Sequence, residues 1–463
     1  MRSNMKKTVE YVGALLMVST LVVLNSCGGA EPTESGVNES VDQTSQSPVK
    51  KPVKKTDCTE WTAVYNGPIP TGDAVDEGLD VALDEDGNVY IVGSTQELGA
   101  DGISSRVTKF ITRKYDSEGN LVWSQSHPDG QELGAIGRGI AVHKDNIYLT
   151  GDVSTGSKWK MSLRKNTVDG GDDLWETVGG GLPEENGSSA KAVAVDLQGN
   201  IYVTGSTNYS IGQDAFVSKF DPEGNELWTV TSSQYDLGVG IGVDPASNVY
   251  VVGSILGNNN NGVLMKYDKD GNLLASFLSD YPKDDRLRDV VWDRGSVYVA
   301  GLLKQPDQGG TVDIWVEKRR ASDLKLIWSQ TYDGVGNGRD QAIGVAVDAQ
   351  GDVYVTGTSE DGVNIHDEDP ITLKYSKDGT LLGGRTTPSD PTDGDGEFNR
   401  GFRVAAGPGD AFYVVGTGFH PQPAIGYTGD GGFYKCPECG MGSNPDIWIT
   451  KYCSVDPSFG SGF

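Results

Sequence analysis

The stretch Ala192-Val-Ala-Val-Asp196-Leu-Gln-Gly199-Asn200-Ile-Tyr202-Val-Thr-Gly205 decides the fold. Ala192 to Val195 is short and apolar, as a buried strand should be. Asp196 to Asn200 carries the residues of a tight turn: Asp and Asn make local side-chain hydrogen bonds, and Gly supplies positive φ. Ile201 to Gly205 then reads as the returning strand. The closing Tyr-x-x-Gly recurs at Tyr90, Tyr148, Tyr202, Tyr250, Tyr298, Tyr354 and Tyr413, spaced 48 to 59 residues apart. A period of this length marks a repeat architecture, and it must be settled before any motif is interpreted.

Downstream of each copy the pattern continues. A third strand alternates with period two, as in Phe216-Val-Ser-Lys-Phe220 and Ile447-Trp-Ile-Thr-Lys-Tyr452. A second turn, Asp221-Pro-Glu-Gly224-Asn225, leads to a fourth strand carrying Trp228, with counterparts at Trp123, Trp175 and Trp328. Ala275 and Gly383 stand where Trp is expected, so those outer strands should pack less tightly. The 463-residue length alone suggests two or three domains, but repeats run long as one unit. The 64 glycines and 36% hydrophobic content suit a turn-rich all-β chain. The expected fold is all-β: a seven-bladed β-propeller of four-stranded antiparallel blades over residues 58–453, with a short tail at 454–463.

The combination of Tyr-x-x-Gly with Asp-x-x-Gly-Asn resembles the SBBP (seven-bladed β-propeller) repeat family of bacterial surface proteins, over nearly the whole of residues 58–453. The Asp-x-x-Gly-x-x-x-Trp portion also resembles the repeat of quinone-cofactor propellers.

The seventh repeat ends at Tyr452-Cys453 without a fourth strand. Glu60-Trp61-Thr-Ala-Val-Tyr65-Asn-Gly67 is similar to Ile327-Trp328-Ser-Gln-Thr-Tyr332-Asp-Gly334, so the N-terminal strand should complete the last blade and remove a free edge. Cys58 and Cys453 occupy the places of Asn120 and Asp116, which flank one turn in the first repeat. A Cys58–Cys453 disulfide is therefore predicted, worth several kcal/mol in loop entropy; two unrelated thiols are the competing reading. Cys436-Pro-Glu-Cys439 lies in the long Phe419–Asp446 connection. A local disulfide is the first reading and a zinc knuckle the second, although the other half of a four-thiolate site is missing.

The N-terminus reads as an address. Basic residues precede the apolar run Tyr11–Leu24, which is short for a membrane span and fits a signal peptide over 1–26. Leu24-Asn25-Ser26-Cys27-Gly28 resembles a bacterial lipobox. That resemblance implies cleavage before Cys27 and lipidation of its thiol; an ordinary secretory signal is the alternative. Residues 27–57, rich in Glu, Ser, Thr, Lys and Pro, read as a disordered tether. The expected address is the cell envelope, at the outer membrane or cell surface, with a lipid-anchored monomer. The net charge of −27 argues against nucleic acid as a partner and fits solubility; weak divalent-cation binding is the sharper alternative.

Turns between first and second strands, and between third and fourth, are tight. The other connections are long and must share one face, where binding function is expected, while the tether enters on the trimmed face. His127, His143, His366 and His420 show no ligand spacing, and no nucleophile elbow, zinc-protease or phosphate-loop motif occurs. Asp393, Asp395 and Glu397 could wrap Ca²⁺, against the reading of a solvated acidic linker. No cofactor is required. Two functions remain: a non-catalytic lipoprotein binding protein or glycan on the long-loop face, or a funnel enzyme of the quinone-dependent dehydrogenase or polysaccharide lyase type. An enzyme would need His, Arg and carboxylate converging on the axis. Gly238, Gly240, Gly242, Ala192 and Ala194 instead predict a narrow axis.

Overall fold

The computed structural model describes residues 58–453 except 66, 68–75, 99–105, 128–133, 181, 183–186, 208–212, 258–259, 280–283, 305–310, 335–337, 361–367, 387–399, 419–424, 428–432 and 436–445. Seven four-stranded antiparallel sheets form a ring. In each blade the strands a, b, c and d run from the axis outward. Blade 3 is representative: Ser188–Val195, Ile201–Thr207, Asp214–Phe220 and Glu226–Ser232. No helix occurs among the described residues, so none is long and apolar enough to cross a membrane.

The last blade is assembled from both ends of the propeller. Arg400–Ala406, Ala411–Gly418 and Asp446–Cys453 supply strands a, b and c, and Trp61–Tyr65 supplies d. Trp61 lies opposite Lys451, as Trp228 lies opposite Lys219 in blade 3. Cys58 and Cys453 are joined by a disulfide beside this seam, with Cα atoms 5.9 Å apart. Glu60 ties the seam further: it accepts the Cys453 backbone N–H at 3.0 Å and pairs with Arg385 of blade 6. Within the long connection of blade 7, Ile425–Tyr427 pairs with Phe433–Lys435 as a short hairpin.

The repeated residues lock one blade to the next. All seven signature tyrosines are buried, with relative exposures of 0–2%. Each fills the interface toward the following blade; Tyr250, for example, packs with Leu287, Val290 and Val297. In the a–b turn of blade 3, one Asp196 oxygen accepts Asn200 Nδ2 and the Tyr202 hydroxyl, while the other accepts two turn N–H groups. A strand-c lysine lies over each tyrosine ring, as Lys219 does over Tyr202 at 5.2 Å. Lys219 Nζ and Trp228 Nε1 then both donate to the Lys269 carbonyl of blade 4. Lys451 and Trp61 repeat this brace on the Ser117 carbonyl of blade 1, so the seam is built like every other junction. Gly119, at φ +89°, lies flat on Trp61; a Cβ there would come within 2.6 Å of the indole.

Some blades use different chemistry. Blades 2 and 5 replace the five-residue a–b turn by two-residue turns with positive φ at Lys144, Arg294 and Gly295. In blade 4, Ser247 takes the positive-φ place of Gly, and its hydroxyl donates to Asp196 of blade 3. Where Gly383 lacks an indole, Phe412 stacks between Tyr354 and Tyr452, and Arg385 lies over Tyr452. That junction is therefore filled from the blade 7 side.

Candidate functional site

The axis is shaped by one irregularity repeated seven times. Every a strand carries a β-bulge at equivalent positions, for example between Leu287 and Asp289 and between Gly401 and Arg403. A bulge sets two successive side chains on one side of the strand. Leu287 and Val290 are buried in the blade core, so Arg288 and Asp289 both turn to the axis. Each blade thus offers an axial pair: Leu79/Asp80, Arg138/Gly139, Lys191/Ala192, Val239/Gly240, Arg288/Asp289, Ile343/Gly344 and Phe402/Arg403.

The second members of these pairs close the channel. The small ones let neighbouring strands approach: a Cβ on Gly240 would lie 2.9 Å from the Asp289 Cα, and one on Gly344 3.0 Å from the Arg403 Cα. Arg403 reaches across the remaining space. Its Nη1 donates to the Ile343 carbonyl of blade 6, and its Nη2 to the Val239 carbonyl of blade 4 at 3.3 Å. It pairs with Asp289 of blade 5 at 3.4 Å and stands 3.8 Å from Asp80 of blade 1. Both carboxylates are also held by the backbone. Asp80 accepts the Val81 and Ile140 N–H groups, and Asp289 accepts those of Val290 and Val345. Burial nevertheless pushes Asp80 up to about 6, against the pull of Arg403, and raises Asp289 for the same reason.

The narrow axis expected from glycine and alanine is therefore present, but it is bolted by an ion-paired arginine that the sequence reading did not single out. The available signal was charge in otherwise apolar or small first strands: Asp80, Arg138, Lys191, Arg288, Asp289 and Arg403.

Nearer the long-connection face, the first members of the pairs include three cations, Arg138, Lys191 and Arg288. Arg138 pairs with the buried Asp152 at 2.6 Å. Burial, then Arg138, lowers the Lys191 ammonium to about 8. Burial, then Arg286, Arg339 and Arg403, lowers Arg288 to about 10.

The other expected site residues do not converge there. His127 ends strand d of blade 1, edge-on to Phe110 and 3.5 Å from Asp173. His143 ends strand a of blade 2, at the opposite face. Among the described residues no group of three or more His, Cys, Asp or Glu could hold a metal ion. The lipidation candidate Cys27, the Cys436–Cys439 pair, the calcium candidates Asp393, Asp395 and Glu397, and His366 and His420 lie outside the described residues.

Fold and axis together define a seven-bladed β-propeller closed by a strand from each end of the ring. Residues 185–211, covering strands a and b of blade 3, match the family model described as SBBP, beta-propeller repeat. No curated protein matches the chain. Similar solved structures include a protein of unknown function from Bacteroides caccae, at 11% identity and TM-score 0.39, covering 64% of this chain and 93% of that one. A quinohemoprotein alcohol dehydrogenase from Pseudomonas putida HK5 is 12% identical with TM-score 0.39, covering 83% and 76%. A europium-containing methanol dehydrogenase is 11% identical with TM-score 0.43, covering 81% of each chain.

Proposed function

We propose that this chain is a non-catalytic propeller of the cell envelope that receives a protein or glycan ligand on its long-connection face. The observation that carries this reading is the bolt across the axis. Arg403, Asp80 and Asp289 satisfy one another and the backbone, so these three groups act as structure. The signature Asp, Tyr, Lys and Trp residues are likewise committed to blade junctions. What differs between blades is the set of long connections, and a rigid scaffold with variable loops on one face suits recognition.

Cys58 sits at the tight-turn end of the last blade, opposite those connections. An N-terminal lipid on Cys27 would hold the plain face toward the outer membrane or cell surface and leave the long connections outward, with the protein acting as a monomer. The test is affinity capture and a glycan array with the detergent-solubilised full chain, with and without Ca²⁺. Retention of a defined partner supports the reading. Absence of any partner, together with turnover of an alcohol or polysaccharide substrate, overturns it.

A further inference from the structure

We infer that the axial mouth on the long-connection face is an oxyanion site centred on Arg288, taking a carboxylate or sulfate group. This rests on the binding reading above and names the ligand chemistry.

The chain carries a net charge of −27, yet three of the seven outer axial positions hold cations. The bulges put Arg138, Lys191 and Arg288 at the same level of three blades, one residue outward of the Arg403 bolt. Arg286 and Arg339 lie close enough to act on Arg288, with Asp284 as the opposing charge. Asp284 is already engaged by Arg286 and by Asn260. Among the described residues, the side chain of Arg288 has no hydrogen bond and no ion pair, and the same holds for the side chain of Arg339.

A guanidinium carries five donors and stays charged, so a partly buried one without an acceptor among the described residues can take an anion. Recessed cations in low-dielectric walls also focus the field outward along the axis. The depressed Arg288 and Lys191 values have the same origin, since each cation is disfavoured by burial and by its cationic neighbours.

The test measures binding of trigalacturonate to the detergent-solubilised full chain by titration calorimetry, beside its methyl ester, sodium sulfate and a glutamate tripeptide. Trigalacturonate should bind, its methyl ester should not, and Arg288→Gln should weaken binding by about tenfold or more, the effect of losing one charge-assisted hydrogen bond. Arg339→Gln should weaken it less. Without ligand, Arg288→Gln should melt no lower than the parent, because it removes a cation that has no partner among the described residues; sulfate should raise the parent's melting temperature and not the variant's.

Equal affinity of parent and Arg288→Gln overturns the site. Glutamate tripeptide binding with the same dependence on Arg288 supports the site with a peptide source of the carboxylate, and failure of trigalacturonate, tripeptide and sulfate alike to bind the parent overturns it. Capture of a neutral glycan, unaffected by Arg288→Gln, overturns this inference while leaving the binding reading intact. Substrate turnover without any captured partner, alongside an Arg288-dependent sulfate effect, overturns that reading and not the oxyanion site.

Discussion

Removing the Cys58–Cys453 bridge by replacing both cysteines with serine should lower global stability without changing the folded ring. The bridge spans a sequence separation of 395 residues, so it restrains nearly the whole propeller when unfolded. The loop-entropy relation gives about 6 kcal/mol at 25 °C for such a loop, an upper limit that native-state strain or residual structure in the unfolded chain lowers. With an unfolding entropy near 2.1 cal/mol/K per residue, a loss of about 3–6 kcal/mol lowers the melting temperature by about 4–7 °C. The native seam keeps other bonds. Trp61 still donates to the Ser117 carbonyl and lies between Tyr115 and Tyr413, and Glu60 still holds Arg385 and the Cys453 amide. Urea unfolding followed by tryptophan fluorescence should therefore show a lower midpoint and a steeper slope, because the unfolded chain without the bridge is more expanded and exposes more surface. Hydrogen exchange should quicken first in Trp61–Tyr65, which pairs at the edge of its sheet with the strand Asp446–Cys453. An unchanged midpoint in the double-serine variant, or alkylation of both thiols in the unreduced protein, refutes the reasoning.

Two further outcomes follow from the buried charges. Arg403→Met leaves Asp80 and Asp289 without their counter-charge, so stability at pH 8 should fall by about 3 kcal/mol. The loss should shrink below pH 6 as Asp80 takes a proton; equal urea midpoint shifts at pH 8 and pH 5 would count against the bolt. Asp446 is pushed up to about 7 by burial and then by the charge of Asp76. Its folded value lies above the ordinary carboxylate value, so the folded state favours the protonated form. The stability it contributes is complete below about pH 4 and is lost as pH rises through 7. Asp446→Asn should gain on the order of 3 kcal/mol over the parent at pH 8 and nothing at pH 4; parallel stability curves for the two proteins would refute the assignment.

Much of the architecture could be read locally. A Tyr-x-x-Gly spacing, an Asp-x-x-Gly-Asn turn and a Trp seven residues past its turn Asp each report on a few neighbouring residues, and their repetition counts the blades. The seam was legible because Trp61 and Cys58 copy positions seen elsewhere in the chain. The axial groups were harder to find. Asp80, Arg288 and Arg403 lie in short strands far apart in sequence, and alternation alone does not reveal a bulge that turns two neighbours to the same side. The two-residue turns of blades 2 and 5 show the same limit: Lys144 and Arg294 hold positive φ without the glycine that would have announced it.

The sequence by itself therefore determined the repeat, the strand order, the closing strand and the pairing of Cys58 with Cys453, because hydrogen-bonded strands and turns are encoded by near neighbours. Only the tertiary structure decided that Arg403 spans the axis and that Arg288 stands beside it without an acceptor among the described residues. Those facts depend on where seven separate bulges meet around a ring, and no single repeat contains that information.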